Sequence, residues 1–106
     1  METYRLDSFT KGWFVGAFEP TIIAAKEVEV GIRHYRAGDC EAPHRHMVAV
    51  ELTAVISGSV RMSGQIIRPG EIVRIAPGES TGFEALEDSI TVVVKMPSVI
   101  GDKYLD

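Results

Sequence analysis

Short runs in which apolar and polar residues alternate recur along the chain. In "VEVGIRHY", Val28, Val30 and Ile32 share one face and Glu29, Gly31 and Arg33 the other, a period of two that predicts a strand. "ELTAVIS" sets Leu52, Ala54 and Ile56 against Glu51, Thr53 and Val55. "EIVRIA" pairs Val73 with Ile75 opposite Arg74, and "SITVVVKM" aligns Ile90, Val92, Val94 and Met96 before stopping at Pro97. Between these runs lie "AGD", "SGS", "MSGQ", "RPGE" and "APGES", whose Gly, Pro, Asp and Ser residues suit turns. No long helical pattern, heptad, linker or low-complexity stretch interrupts the series. Strands at this spacing predict one all-β domain, a closed barrel or a sandwich.

The first twenty residues depart from the pattern. "FTKGWFVGAFEP" gathers Phe9, Trp13, Phe14 and Phe18 in a short space. Such aromatics would cover the barrel, pack against a second subunit, or form a wall for a ligand such as a sugar. The expected organisation is an N-terminal strand segment (1–27), a barrel core (28–96) and a C-terminal tail (97–106).

Composition narrows the setting. A chain of 106 residues fits a single modest core. Eleven Lys and Arg against fifteen Asp and Glu give a net charge of −4, which argues against nucleic-acid partners that require a positive surface. Cys40 is the only cysteine, so no intrachain disulfide forms and packing must hold the fold. No apolar run approaches the roughly 20 residues a spanning helix needs, and the N-terminus lacks a secretory pattern. These features predict a cytoplasmic protein without membrane contact.

The candidate chemistry lies in "GDCEAPHRHMVAVELTAVISG", from Gly38 to Gly58. His44 and His46 are two residues apart, so on an extended chain both imidazoles point the same way. Glu51 follows His46 by five residues and would face away on one unbroken strand. It joins the histidines only if the chain turns between Met47 and Val50, with His46 closing one strand and Glu51 opening the next. Two imidazoles and a carboxylate with open positions suit iron, manganese, nickel or zinc. The plainer alternative is a pair of surface histidines in a turn beside Pro43.

This segment resembles the first motif of the cupins, G(X)5HXH(X)3,4E(X)6G, at every fixed position: Gly38, His44, His46, Glu51 and Gly58. The second cupin motif, G(X)5PXG(X)2H(X)3N, is only partly matched. Gly70 and Gly78 are in place, but Ala76 stands for the proline, Thr81 for the histidine and Ala85 for the asparagine. The resemblance spans about residues 28 to 96. It implies a six- to eight-stranded jelly-roll barrel, a double-stranded β-helix, with His44, His46 and Glu51 pointing inward. It also implies a divalent metal, held weakly or lost because the fourth ligand is missing. Thr81, Glu79 and Arg61 are pocket candidates. Glu79 is a local substitute ligand if the strand is regular, and lies outside the barrel if it belongs to the preceding turn. Arg45 alternates with the histidines and should point outward. Arg74 is a further substrate-contact candidate, whereas His34 and Cys40 lie off the motif.

Two functions follow as expectations. The first is a metal-dependent enzyme acting on a small molecule such as a sugar, by oxygenation, isomerisation, epimerisation or decarboxylation. The second is a non-catalytic small-molecule-binding barrel that has lost its metal. A homodimer is expected, because a barrel of this size leaves apolar surface uncovered and Trp13, Phe14 and Phe18 need burial.

Overall fold

A computed structural model describes residues Met1–Asp106. Two 3-10 turns, Leu6–Ser8 and Thr10–Gly12, precede β1 (Trp13–Gly16) and β2 (Ile23–Ala24). There follow β3 (Glu29–Tyr35), β4 (Cys40–Arg45), β5 (Val50–Ser57), β6 (Val60–Met62) and β7 (Gln65–Ile67). The chain closes with β8 (Ile72–Ile75), β9 (Thr81–Ala85), β10 (Ser89–Met96) and β11 (Tyr104–Leu105). A six-stranded sheet in the order β2-β1-β3-β10-β5-β8 faces a five-stranded sheet in the order β11-β4-β9-β6-β7. No helix is long and apolar enough to cross a membrane.

The strands predicted from the period of two are present, but in three of them the apolar stripe faces outward. Cross-strand register sets Glu29, Lys95, Glu51 and Ile75 in one row and Gly31, Val93, Thr53 and Val73 in the next. These rows, with Thr91, Val55 and Ser89 beyond them, turn inward and carry the most buried positions of β5 and β10. Val30, Ile32, Leu52, Ala54, Val92 and Val94 are therefore on the outer face, where Ile56, Ile72 and Met96 are well exposed. Only β8 keeps the expected sense, with Val73 and Ile75 inside.

The interior divides into two ends. Val55, Val60, Met62, Ile67, Ile75, Phe83 and Ala85 form an apolar plug, with Tyr35 and Val73 packed against it. The other end is polar and holds a cavity of about 210 Å³. The segments outside the barrel core are built into it. β1 pairs with β3 and sets Trp13 opposite Gly31, while β11 in the tail pairs with β4. Gly31 permits that placement: a Cβ there would lie 2.7 Å from the indole. Trp13 and Phe18 thus pack within their own chain, on Gly31 and on Gly16 with Glu29 respectively. Trp13, Phe14 and Phe18 all remain half-buried.

Candidate functional site

His46 follows β4 directly, the chain bends at Met47 and Val48, and Glu51 is the second residue of β5. The bend restores the lost parity, so His46 Nε2 lies 3.4 Å from Glu51 Oε1. His46 Nδ1 lies 2.5 Å from the carbonyl oxygen of Asp102. A carbonyl only accepts, so Nδ1 carries the proton and donates it, leaving the Nε2 lone pair toward Glu51. Nε2 is buried and has no hydrogen-bond partner. Asp102, only 7% exposed, holds the bend as well. Its carboxylate accepts hydrogen bonds from the amides of Met47, Val48 and Ala49 at 2.9 to 3.2 Å. Burial would raise the Asp102 pKa, but these three amides outweigh it and hold it below the usual carboxylate value.

Glu51 sits in a comparable balance. Burial pushes its pKa up, while the hydroxyl of Thr53 donating to Oε2 at 2.8 Å and the Lys95 ammonium bring it down, as does any proton held on His46 Nε2. The net shift is downward, so the carboxylate is ionised near neutrality. Lys95 lies between Glu29 and Glu51 by cross-strand register, with Nζ 3.7 Å from Glu29 Oε1 and 4.0 Å from Glu51 Oε1. The same ammonium lies 5.0 Å from the centre of the Trp13 ring, a cation–π arrangement.

His44 projects into the cavity from β4, and its ring centre is 5.4 Å from that of His46. Its Nδ1 lies 3.1 Å from the Ala42 carbonyl. No three His, Cys, Asp or Glu side chains are drawn together as a metal-binding group, although His46 and Glu51 face each other. The donor types nevertheless fit a divalent ion. A buried imidazole lone pair without a partner beside an ionised carboxylate suits a cation between them, and His44, two residues earlier on β4, adds a second imidazole.

Thr81 pairs with His44 across β4 and β9, is buried and lines the cavity. Its hydroxyl accepts from Ser63 and donates to the Gly82 carbonyl, both at 3.0 Å. Two other pocket candidates lie elsewhere. Glu79 is exposed in the turn before β9, where its carboxylate caps the Ala76 amide at 2.9 Å, because the strand begins only at Thr81. Arg61 is on the outer surface of β6, paired at 2.6 Å with Glu84, its register partner on β9. Arg45 pairs with Asp106 at 3.1 Å, and Arg74, His34 and Cys40 are exposed.

The cavity wall includes residues outside the motifs, among them Trp13, Arg33, Tyr35 and Lys95. Arg33, Tyr35 and Lys95 share the polar face of their strands with Glu51. An odd-numbered polar stripe on three strands, matched to the parity of Glu51, was the available signal. Tyr35 stacks on Phe83 with ring centres 4.4 Å apart, and Arg33 lies 5.2 Å from the centre of the Tyr35 ring. Burial, with smaller contributions from Glu41, Glu51 and Asp39, pushes the Tyr35 pKa up to about 12 against the opposing charge of Arg33.

Similar solved structures share this architecture. An uncharacterized conserved protein with a double-stranded β-helix domain from Klebsiella pneumoniae matches 98% of this chain and 90% of its own, at 21% identity and a TM-score of 0.73. The fold is that of a cupin. KdgF from Halomonas sp. superposes over 72% of this cupin-fold chain and 74% of its own, at 21% identity and a TM-score of 0.65. Oxalate decarboxylase from Bacillus subtilis, a protein with Mn(II) centres, matches 76% of this chain at 16% identity and a TM-score of 0.66. The cupin barrel described here spans about a quarter of that protein, 24%. No family model and no curated relative matches the sequence.

Proposed function

We propose that this cupin-fold protein binds one divalent metal on His44, His46 and Glu51 and holds a small organic molecule in the adjoining cavity. The observation behind this reading is the buried His46 Nε2, which lacks a hydrogen-bond partner and lies 3.4 Å from an ionised Glu51. A bound metal would supply Lewis-acid polarisation of a substrate oxygen. The chain's own residues prepare the rest. Asp102 fixes the His46 tautomer, and Thr53 engages Glu51 Oε2, leaving Oε1 for the site. Trp13 forms an apolar wall, and Thr81 closes the opposite side with a neutral hydroxyl. An enzyme of the oxygenase, isomerase or epimerase type, acting on a sugar or similar small molecule in the cytoplasm, fits this reading. Manganese, iron, nickel and zinc all suit the donor set.

Lys95 favours a second reading. Its ammonium, 4.0 Å from Glu51 Oε1, partly neutralises the carboxylate without a metal, as a non-catalytic binding barrel would require. Metal content after purification without a tag or chelator, followed by Mn(II) and Zn(II) titration calorimetry, separates the two. The first reading expects about one metal per chain. His46→Ala should weaken binding by more than the roughly 10–100-fold typical of losing an outer-shell partner. No binding by the wild-type chain, or unchanged binding by His46→Ala, would leave the metal-free barrel.

We also propose that two copies pair through the outer face of β3, β10, β5 and β8. Soluble monomers rarely expose a continuous apolar patch beyond a few hundred Å². Here Val30, Ile32, Leu52, Ala54, Val92 and Val94, each half-buried, line one outer apolar face, with Ile72 68% exposed at one side. Two identical sheet faces stacking about 10 Å apart would cover it. Light scattering should give a dimer mass, and Val92→Lys a monomer with an intact fold. A wild-type monomer at tens of micromolar would refute the pairing.

A further inference from the structure

The cavity contains one guanidinium, and its hydrogen-bonding capacity is unused. The Arg33 side chain is only 18% exposed, yet its nearest carboxylate, Glu41, is 4.0 Å away, beyond hydrogen-bond distance. Its guanidinium makes no hydrogen bond within the chain and rests against the Tyr35 ring at 5.2 Å. Its donors open onto the cavity without a partner from the chain, and a planar fork lining a concave space matches a carboxylate. The Tyr35 hydroxyl also has no partner in the chain, and its pKa of about 12 keeps it a donor at every physiological pH.

The charge and size of the site restrict the ligand. Lys11, Arg33, Lys95 and Lys103 line the cavity together with Glu41 and Glu51, and Glu29 lies against Lys95. Without a metal, four cations against three carboxylates leave a surplus of one positive charge, which matches a monoanionic head better than a phosphate dianion. A volume of about 210 Å³ corresponds to roughly seven waters at about 30 Å³ each, the space of a small organic acid.

We propose that the cavity binds a short-chain organic acid with its carboxylate on the Arg33 guanidinium and the Tyr35 hydroxyl. This rests on reading the cavity as a ligand site, and not on the metal. Arg33 is the specificity determinant: it selects the acid over its neutral alcohol or amide.

Trp13, the only tryptophan, lines the cavity and reports occupancy by its fluorescence. The intact protein would be titrated with acetate, propanoate, succinate and glutarate, with propanamide and propanol as neutral controls, and with inorganic phosphate. Each titration would be run with and without added Mn(II). Saturable quenching by at least one carboxylate is expected, with neutral controls and phosphate at least about tenfold weaker. Arg33→Gln should weaken the best carboxylate by about tenfold or more, and Arg33→Lys by less, since charge remains but the fork is lost. Arg61→Gln, on the outer surface, should bind as wild type, and thermal melting would confirm that each variant folds. Carboxylate binding unaffected by Arg33→Gln in a folded variant would overturn the proposal, as would equal binding of propanamide, tighter binding of phosphate, or no carboxylate binding. Mn(II) binding without carboxylate binding would sink this inference alone. Carboxylate binding that depends on Arg33, in a protein that binds no metal, would sink the metal reading alone.

Discussion

Gly31→Ala tests whether the Trp13 indole is clamped onto the barrel floor. The added Cβ would lie 2.7, 2.8 and 3.2 Å from three indole carbons. Carbon atoms rest at about 3.5–4.0 Å, so the ring must retreat by roughly 1 Å. It has little freedom to do so, because Trp13 is registered opposite Gly31 in the β1–β3 ladder and the Lys95 ammonium lies 5.0 Å from the ring centre. The alternatives are to tilt into the cavity or to pull β1 from its partner. Overpacking of this kind costs about 1–3 kcal/mol, and a value near 2 kcal/mol would lower the melting temperature by roughly 10 °C in a domain of this size. The test is urea unfolding of a double-mutant cycle with Trp13→Ala. With the indole removed, Gly31→Ala should cost less than about 0.5 kcal/mol, since alanine restricts the unfolded chain more than glycine does. The coupling should then be about 1.5–2 kcal/mol. Additivity within about 0.5 kcal/mol would show that the ring does not rest on Gly31, and would refute the packing given for the cavity wall.

Other outcomes are as specific. Asp102→Ala should destabilise the protein by about 3 kcal/mol in urea unfolding: it strands the buried Ala49 amide, while the more exposed Met47 and Val48 amides regain water. A loss below about 0.5 kcal/mol would mean the bend stands without the tail. In an alkaline absorbance titration, Tyr35 should contribute its phenolate signal only near pH 12, and Tyr35→Phe should remove that late phase. Because the folded value lies above the ordinary phenol value of 10.0, stability from this group is complete below pH 10 and declines as pH rises toward 12. Tyr35→Phe should flatten that decline in unfolding measured across the range, and an unchanged slope would count against burial of the hydroxyl.

Strand positions and the bend after His46 were legible in the sequence because both follow from side-chain parity. The facing of the strands was not. Hydropathy marks Val30, Ile32, Val92 and Val94 as the stripe to bury, yet the rows containing Glu29, Lys95, Glu51, Arg33 and Thr91 turn inward. Alternation reveals two faces but does not say which one a second sheet covers, and a polar cavity with an apolar exterior reverses the usual choice. Of the two places open to Glu79, the pocket and the preceding turn, the chain takes the turn for a related reason: parity holds only inside a strand, and β9 begins at Thr81. Asp102 left no local signature, because its partners Met47, Val48 and Ala49 are more than fifty positions away.

That separation has a consequence during synthesis. His46 and Asp102 are 56 residues apart, so at about 5–20 residues per second the ribosome delivers the second roughly 3–11 s after the first. For those seconds a nascent chain has its imidazoles and its glutamate but nothing to choose which ring nitrogen keeps the proton. The His46–Glu51 arrangement is thus fixed late, when Asp102 arrives. Loss of Asp102 would release both the His46 ring and the bend at Met47 and Val48 while leaving most of the barrel strands intact.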